Sequence, residues 1–581
     1  MKKPLLTLWC LTALAISFNT SAQNADLLLQ TSEVHPLLVN FDADLGSLER
    51  FYFIPNSVER RERMRTFFND YLTRLNALPF DNMSTGGKVD FILFRRDLEN
   101  RLYQLDKEAR EVNQLSGLVA QGEPIYQLEK RRRRGEFMKG EEVAKALNDC
   151  NKVLREAMSK LSSQPNYTKA LATRAEGIVR GQERALKSVF DFYNGYDPQF
   201  TWWVTAPFNK LDTTLLAYAD ALKKKVDPAT LPKDDGSGII GNPIGREELI
   251  HQLQYEMIPY SPEELVEIAN KEFAWCDAEL LKATKEMGFG TDWRAAQEKV
   301  KMSFVPEGHQ PEAMLKLYNE SVEFLKKHDL ITIPPIAEET WRMRMIPPQQ
   351  QLISPFFLGG EVLQISYPTD EMDHEDKLMS MRGNNPHFSR ATVHHELIAG
   401  HHLQGFMNNR NKAYRDFYTP FWTEGWALYQ EFVLWDLNFP RGPEDKIGML
   451  FWRMHRCARI IFSLNYHLGR WTPQQCIDFL VDRVGHERAN AEGEVRRSFT
   501  GNYGPLYQLA YMVGGLQFYA MKRELVDTGK MTYKQYHDAV MSENSMPVEM
   551  VRAIITKQDL KKDFKSNWKF YKGVVQIDNK K

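Results

Sequence analysis

The stretch "ATVHHELIAGHHLQ" (391–404) packs four histidines and one glutamate into fourteen residues. Imidazole nitrogens and carboxylates are the donors that hold a catalytic zinc, and a glutamate beside them can take a proton from the water that the metal acidifies. The spacing departs from the common H-E-x-x-H pattern, in which a second histidine follows the first by four residues and returns to the same helix face. Here that position is Ala399. On an unbroken helix His395 and His402 share a face but stand about 10 Å apart along the axis, while His395 and His401 face different ways. Chelation therefore requires an interruption. With two residues near Ala399 and Gly400 looped out of the ladder, His401 takes the place of the second ligand and Glu396 becomes the general base. A third ligand for one Zn2+ is expected from a nearby helix. "FWTEGWALYQE" (421–431) offers Glu424, with Thr423 as helix cap and Glu431 in reserve on the same face. A glutamate in a first helical turn also has a purely structural reading, because the helix dipole favours it there.

The elements that must position these groups are mostly helices. Apolar residues recur at three and four in 57–78, 140–161, 168–194, 261–287 and 311–330, with charges between them. "FFLGGEVLQISYPT" (356–369) alternates like a strand or hairpin just upstream of the histidines and could offer an edge to an extended peptide. The loop-like "KDDGSGIIGNPIG" (233–245) suggests an amino-terminal helical part, residues 23–235, and a catalytic part, residues 236–581. The basic block "KRRRR" (130–134) reads as a solvated helix face, or as a docking patch for an acidic partner. His387, in "NNPHF", reads as a loop residue.

Composition narrows the classes of function. The chain has 581 residues, 43% hydrophobic and 26% charged, enough for more than one core. Lys+Arg number 75 against Asp+Glu 76, so there is no electrostatic case for nucleic acid as a partner. Lys2 and Lys3 precede the apolar run "PLLTLWCLTALAISF", and small residues at Ser21 and Ala22 suit cleavage of a signal peptide, 1–22. Cys10 sits inside that run after Trp9, a poor context for lipid attachment, so a periplasmic or secreted protein is expected. No later stretch has the roughly 18–20 apolar residues that cross a bilayer. Cys150, Cys276, Cys457 and Cys476 are too dispersed for a disulfide scaffold. Cys457 with Cys476 is one available pairing, and buried thiols are the other reading.

"HELIAGHHLQ" resembles the H-E-x-x-P-G-H-H-x-Q motif, and "TEGWALYQE" the E-G-W-A motif, of the bacterial domain-of-unknown-function family numbered 885. Members of that family are viewed as zinc metallopeptidases of the gluzincin type. Weaker similarity runs through 196–208, 317–335, 462–480 and 503–515. The resemblance implies His395, His401 and Glu424 as zinc ligands and Glu396 as base. More distant similarity to thimet oligopeptidase and angiotensin-converting enzyme favours His401 over His402, and dipeptidyl peptidase III offers an analogy for extra residues inside a histidine motif. Two departures stand out: Ala399 replaces the family's proline, and Tyr507 precedes glutamine where the family has P-G-Q-A.

A carbonyl under attack needs donors for its developing negative charge. Tyr503, Tyr507, Tyr511, Arg497 and His467 are candidates, each with an ordinary packing alternative, and Arg497 and Tyr511 lead because they lie where the resemblance is strongest. His394 and His402 are expected to support ligands or touch substrate rather than bind metal. The reading is a mainly α, two-lobed, gluzincin-like hydrolase with a small β element beside the active-site helix, cleaving a peptide or small amide. Its rivals are a non-catalytic exported scaffold with a structural metal closed by a fourth ligand, and a metallo-amidase acting on a non-peptide amide or cell-wall fragment.

Overall fold

Helices begin where short polar side chains can satisfy the free backbone N–H groups. Ser57 caps Val58–Asn76, Thr168 caps Lys169–Tyr193, and Ser261 with Glu264 forms a capping box that opens Pro262–Glu286. Gly140–Lys160 and Gln310–Lys327 complete the five helices expected from periodicity. The computed structural model describes residues 32–230, 233–351, 358–501 and 503–572, so the expected leader, 1–22, lies outside the described residues. Helix makes up 69% of the structure against two named four-residue strands, which makes the protein mainly α. No helix among the described residues is long and apolar enough to cross a membrane.

The helices gather around three large cores. One lies wholly between Ile54 and Leu222. A second joins helices from residues 34–105 to segments between Met257 and Leu560, and the third runs from Ile239 to Phe570. The division of cores therefore does not fall at residue 235, because the first helices share a core with the segment that carries the histidines. The basic block ends the helix Glu123–Arg132. It is neutralised within the fold: Arg132 and Arg133 lie 3.0 and 2.6 Å from Glu129, Arg133 also meets Glu59 at 3.1 Å, and Arg131 meets Glu136 at 3.1 Å. The four described cysteines are free and buried, so the 457–476 pairing is not formed.

The strand expectation is met at Val362–Ile365 (β2), but its partner is unforeseen. Arg342–Met345 (β1) pairs with it in parallel, Arg342 opposite Val362 and Met345 opposite Ile365. Gln364 also bridges to Leu358 in antiparallel sense. Both edges of β2 are engaged at that point, so the strand does not offer Gln364 as an open edge for a peptide.

Two buried helices carry the candidate ligand and the tyrosines. Pro420–Asp436, the glutamate helix, is apolar on nearly all sides and packs against Tyr507–Leu525, the tyrosine helix. Their backbones nearly touch: a Cβ on Gly425 would fall 2.5 Å from Gly514 Cα. Glu424 and Tyr511 are held together by this glycine contact. Gly425→Ala is therefore expected to lower stability by about 1–3 kcal/mol, read from the midpoint of denaturant unfolding.

Candidate metal centre

The helix Pro386–Glu396 stops at Glu396, and a second helix, His401–Asn408, starts after a break of four residues. Leu397 and Gly400 take non-helical backbone angles, φ −110°, ψ −103° and φ −90°, ψ −135°. The interruption expected from the spacing is thus four residues long rather than two. Gly400 is needed there because a Cβ would fall 1.7 Å from the His395 carbonyl oxygen. The break is buried, so its polar groups need partners. Trp426 Nε1 donates to the Ala399 carbonyl at 2.7 Å, and Ser321 Oγ lies 3.4 Å from the Ile398 carbonyl.

This break sorts the four histidines. His395 and His401 turn toward one another, rings perpendicular with centroids 4.8 Å apart. Their Nε2 atoms stand 3.4 and 3.1 Å from the same oxygen, Glu424 Oε2. Glu396 Oε2 is 3.9 Å from His401 Nε2 and engages neither imidazole in a hydrogen bond. His394 and His402 are drawn elsewhere: His394 Nδ1 lies 2.7 Å from Ser321 Oγ, and His402 Nε2 lies 2.7 Å from the Ala337 carbonyl. Both therefore anchor the histidine segment to its neighbours. Glu431, the reserve ligand, sits behind His395 with Oε1 2.8 Å from Nδ1, and this bond turns Nε2 toward Glu424. Thr423 is not the cap; Thr419 accepts from Phe421 N and starts the helix, which places Glu424 beyond its first turn.

The donor set fits zinc. Ligands about 2.0–2.1 Å from a tetrahedral zinc lie about 3.3–3.4 Å from each other, close to the two separations found here. His395, Glu396 and His401 also bring donor atoms within 4.8 Å of one another, but Glu424 approaches both imidazoles more closely. Burial opposes charge on His395, yet Glu424 and Glu431 overcome it and hold its pKa up at about 9. Burial would raise Glu424, and the two imidazoles instead hold it well below the usual carboxylate range. Glu396 is pushed up by its burial.

A cavity of about 340 Å³ opens over these groups, a size that suits a small ligand. Glu396, His395, His401 and Glu424 line it with Leu358, Gly359, Tyr418, Trp452, Arg456, Arg459, Arg497, Tyr503, Tyr507 and Tyr511. Four of the five expected donors are thereby brought together. Tyr507 gives its hydroxyl hydrogen to Glu424 Oε1, and Tyr511 Oη stands 3.5 Å from Tyr507 Oη. His467 is not among the lining residues; it is buried at its helix end between Tyr466 and Phe499. His387 is not a loop residue, because Asn385 caps its helix and Asp445 Oδ1 lies 2.6 Å from its Nδ1. Arg456 and Arg459 were not foreseen. Their signal is "WRMHRCAR", arginines spaced by three in the apolar helix Pro443–His467.

A mainly helical protein with a buried His-His-Glu cluster beneath a cavity is the class that fold and site define. The chain belongs to the family described as "Bacterial protein of unknown function (DUF885)", whose model matches residues 55–555. No match is found among curated proteins. Among the solved structures that match, two show the shared fold. One is described as a candidate lipoprotein of unknown function from Shewanella oneidensis, with TM-score 0.64 and 17% identity, covering 90% of this chain and 99% of that one. The other is described as a candidate lipoprotein from Colwellia psychrerythraea, with TM-score 0.54 and 15% identity, covering 90% of this chain and 98% of that one.

Trp426→Phe keeps an aromatic ring and removes the donor to Ala399. Chemical denaturation is expected to show a loss of about 1–3 kcal/mol, the cost of leaving a buried carbonyl unpaired.

Proposed function

We propose that this protein is an exported zinc-dependent hydrolase of peptide or related amide bonds, with His395, His401 and Glu424 as ligands. The observation that carries the reading is the approach of both Nε2 atoms to one oxygen of Glu424, at 3.4 and 3.1 Å, on the wall of a cavity that also holds Glu396, whose carboxylate makes no hydrogen bond among the described residues. His395, His401 and Glu424 would hold the zinc, which would supply Lewis acidity for the carbonyl and lower the pKa of the water.

The chain's own residues account for the proton traffic and the charge. Glu396 accepts a proton from the attacking water and returns it to the leaving amine. Burial raises its carboxyl, which brings it nearer the affinity that such a two-way transfer needs. Burial and the Glu424 charge keep Tyr507 and Tyr511 protonated, hence donors. Tyr507 is occupied by Glu424, so Tyr511 is the freer donor for the oxyanion that develops on the carbonyl. Glu431 orients His395, and Arg456 lies 3.8 Å behind that carboxylate. A structural metal would need a fourth protein ligand, and His394 and His402, its expected sources, are not among the residues that line the cavity; they are committed through Nδ1 to Ser321 and through Nε2 to the Ala337 carbonyl. That commitment supports an open position for water. Export is supported by the Lys2-Lys3 start and the apolar run behind it.

Metal content and hydrolysis test this directly. Purified protein should hold one zinc per chain and cleave members of a peptide and amide library. Glu396→Gln should keep the zinc and lose roughly 10²- to 10⁴-fold in rate. His401→Ala should lose zinc while His402→Ala largely keeps it, and Glu431→Gln should weaken zinc binding about 10- to 100-fold. A wild type that binds zinc but outpaces Glu396→Gln on no substrate would sink the hydrolase reading.

A further inference from the structure

Three guanidinium groups line the cavity, and the protein leaves much of their binding capacity unused. The side chains of Arg456, Arg459 and Arg497 are only 6%, 4% and 8% exposed. Burying a charged group is costly unless partners replace its water. Glu494 alone serves two of them, 2.7 Å from Arg459 Nε and 2.8 Å from Arg497 Nε. Arg456 makes no hydrogen bond among the described residues; its nearest carboxylate, Glu431, is 3.8 Å away and already engaged by His395. Among the described residues, Arg456 Nε and Nη1 and Arg459 Nη1 are buried without a hydrogen-bond partner.

Aromatic rings support these groups instead. Arg459 and Arg456 lie 4.3 and 5.4 Å from the Tyr511 ring centre, and Arg497 lies 5.3 Å from that of Tyr503. Such contacts suit a planar, weakly hydrated cation and hold its fork in place, but they satisfy few of its five N–H donors. A dication at the metal centre would join the three guanidiniums against Glu396, Glu424, Glu431 and Glu494 and leave the cavity with a positive excess. A guanidinium fork matches a carboxylate with two parallel hydrogen bonds.

We propose that Arg456, Arg459 and Arg497 form a carboxylate subsite beside the metal centre, so that the preferred substrate is a short peptide whose negative carboxylate lies close to the scissile bond. The C-terminal carboxylate and an acidic side chain share this chemistry; a C-terminal carboxylate there makes the enzyme an exopeptidase that trims carboxyl ends. The substrate assignment rests on the hydrolase reading above, whereas the subsite itself is a binding property.

The test uses zinc-loaded Glu396→Gln, which binds without turnover, in calorimetric titration with Ala-Ala-Ala-Phe, the same peptide as its C-terminal amide, and the amide of Ala-Ala-Phe-Glu. The free acid should bind about 10- to 100-fold tighter than its amide, the range set by charge-assisted hydrogen bonds. Adding Arg456→Gln or Arg459→Gln should remove most of that difference. Tight binding of the glutamate amide as well supports the subsite and assigns it to side-chain carboxylates. Equal binding of acid and amide, or binding of neither, overturns it, and the comparison needs no arginine variant to fold. A preference that survives both arginine variants and vanishes in zinc-free protein also overturns it, because the metal is then the anion's partner. Wild-type cleavage separates the two readings. Cleavage without a carboxylate preference leaves the hydrolase and removes the subsite, while preferential binding without cleavage leaves the subsite and removes the hydrolase.

Discussion

Between Glu396 and His401 the backbone leaves the helix for four residues, and the geometry of the centre hangs on that departure. A continuous helix would point the two imidazoles to different faces. The break can be buried only because its peptide groups find partners, chiefly the Trp426 indole on the Ala399 carbonyl. Trp426 stands two residues after Glu424 in the same helix. One rigid element thus holds the histidine segment open and delivers the carboxylate that meets both rings. The E-G-W-A motif has a physical content on this view: Glu424 meets the histidines, Gly425 lets the tyrosine helix approach, and Trp426 fixes the break.

Charge in the centre is arranged as a relay from solvent-free carboxylates to solvent-free cations. Glu424 lies between two imidazoles, Glu431 between His395 and Arg456, and Glu494 between Arg459 and Arg497. In a low-dielectric setting each carboxylate is tied in position by at least one group on another helix, so the pieces keep one another's orientation. The same arrangement leaves guanidinium capacity over on the cavity side.

Sequence made the helices legible, because periodicity and capping residues act locally: Ser57, Thr168 and Ser261 stand where their helices begin. The histidine break was legible from a spacing that a regular helix cannot satisfy. What escaped was decided by contacts between distant segments. β1, "RMRM", is short and mostly exposed, and only its partner makes it a strand. His387 looked like a loop residue, yet Asn385 caps a helix there and Asp445, from another helix, binds its ring. His467 shares a sequence neighbourhood with the expected donors, but it ends its helix among aromatic rings away from the cavity. Arg456 and Arg459 read as ordinary helix charges until the fold shows that their face is inside.

Gly359 lies against Glu396, where a Cβ would fall 2.1 Å from Oε2, and the Gly360 N–H donates to the Glu396 carbonyl at 3.2 Å. Where these two glycines meet Glu396, the cavity is lined by backbone. A wall of this kind has no side chain to exchange, so mutation cannot easily retune what it accepts. Divergence of specificity among relatives with this architecture would therefore have to be written elsewhere in the lining, in residues such as Tyr418, Trp452 and Arg456, while the face over Glu396 stays the same.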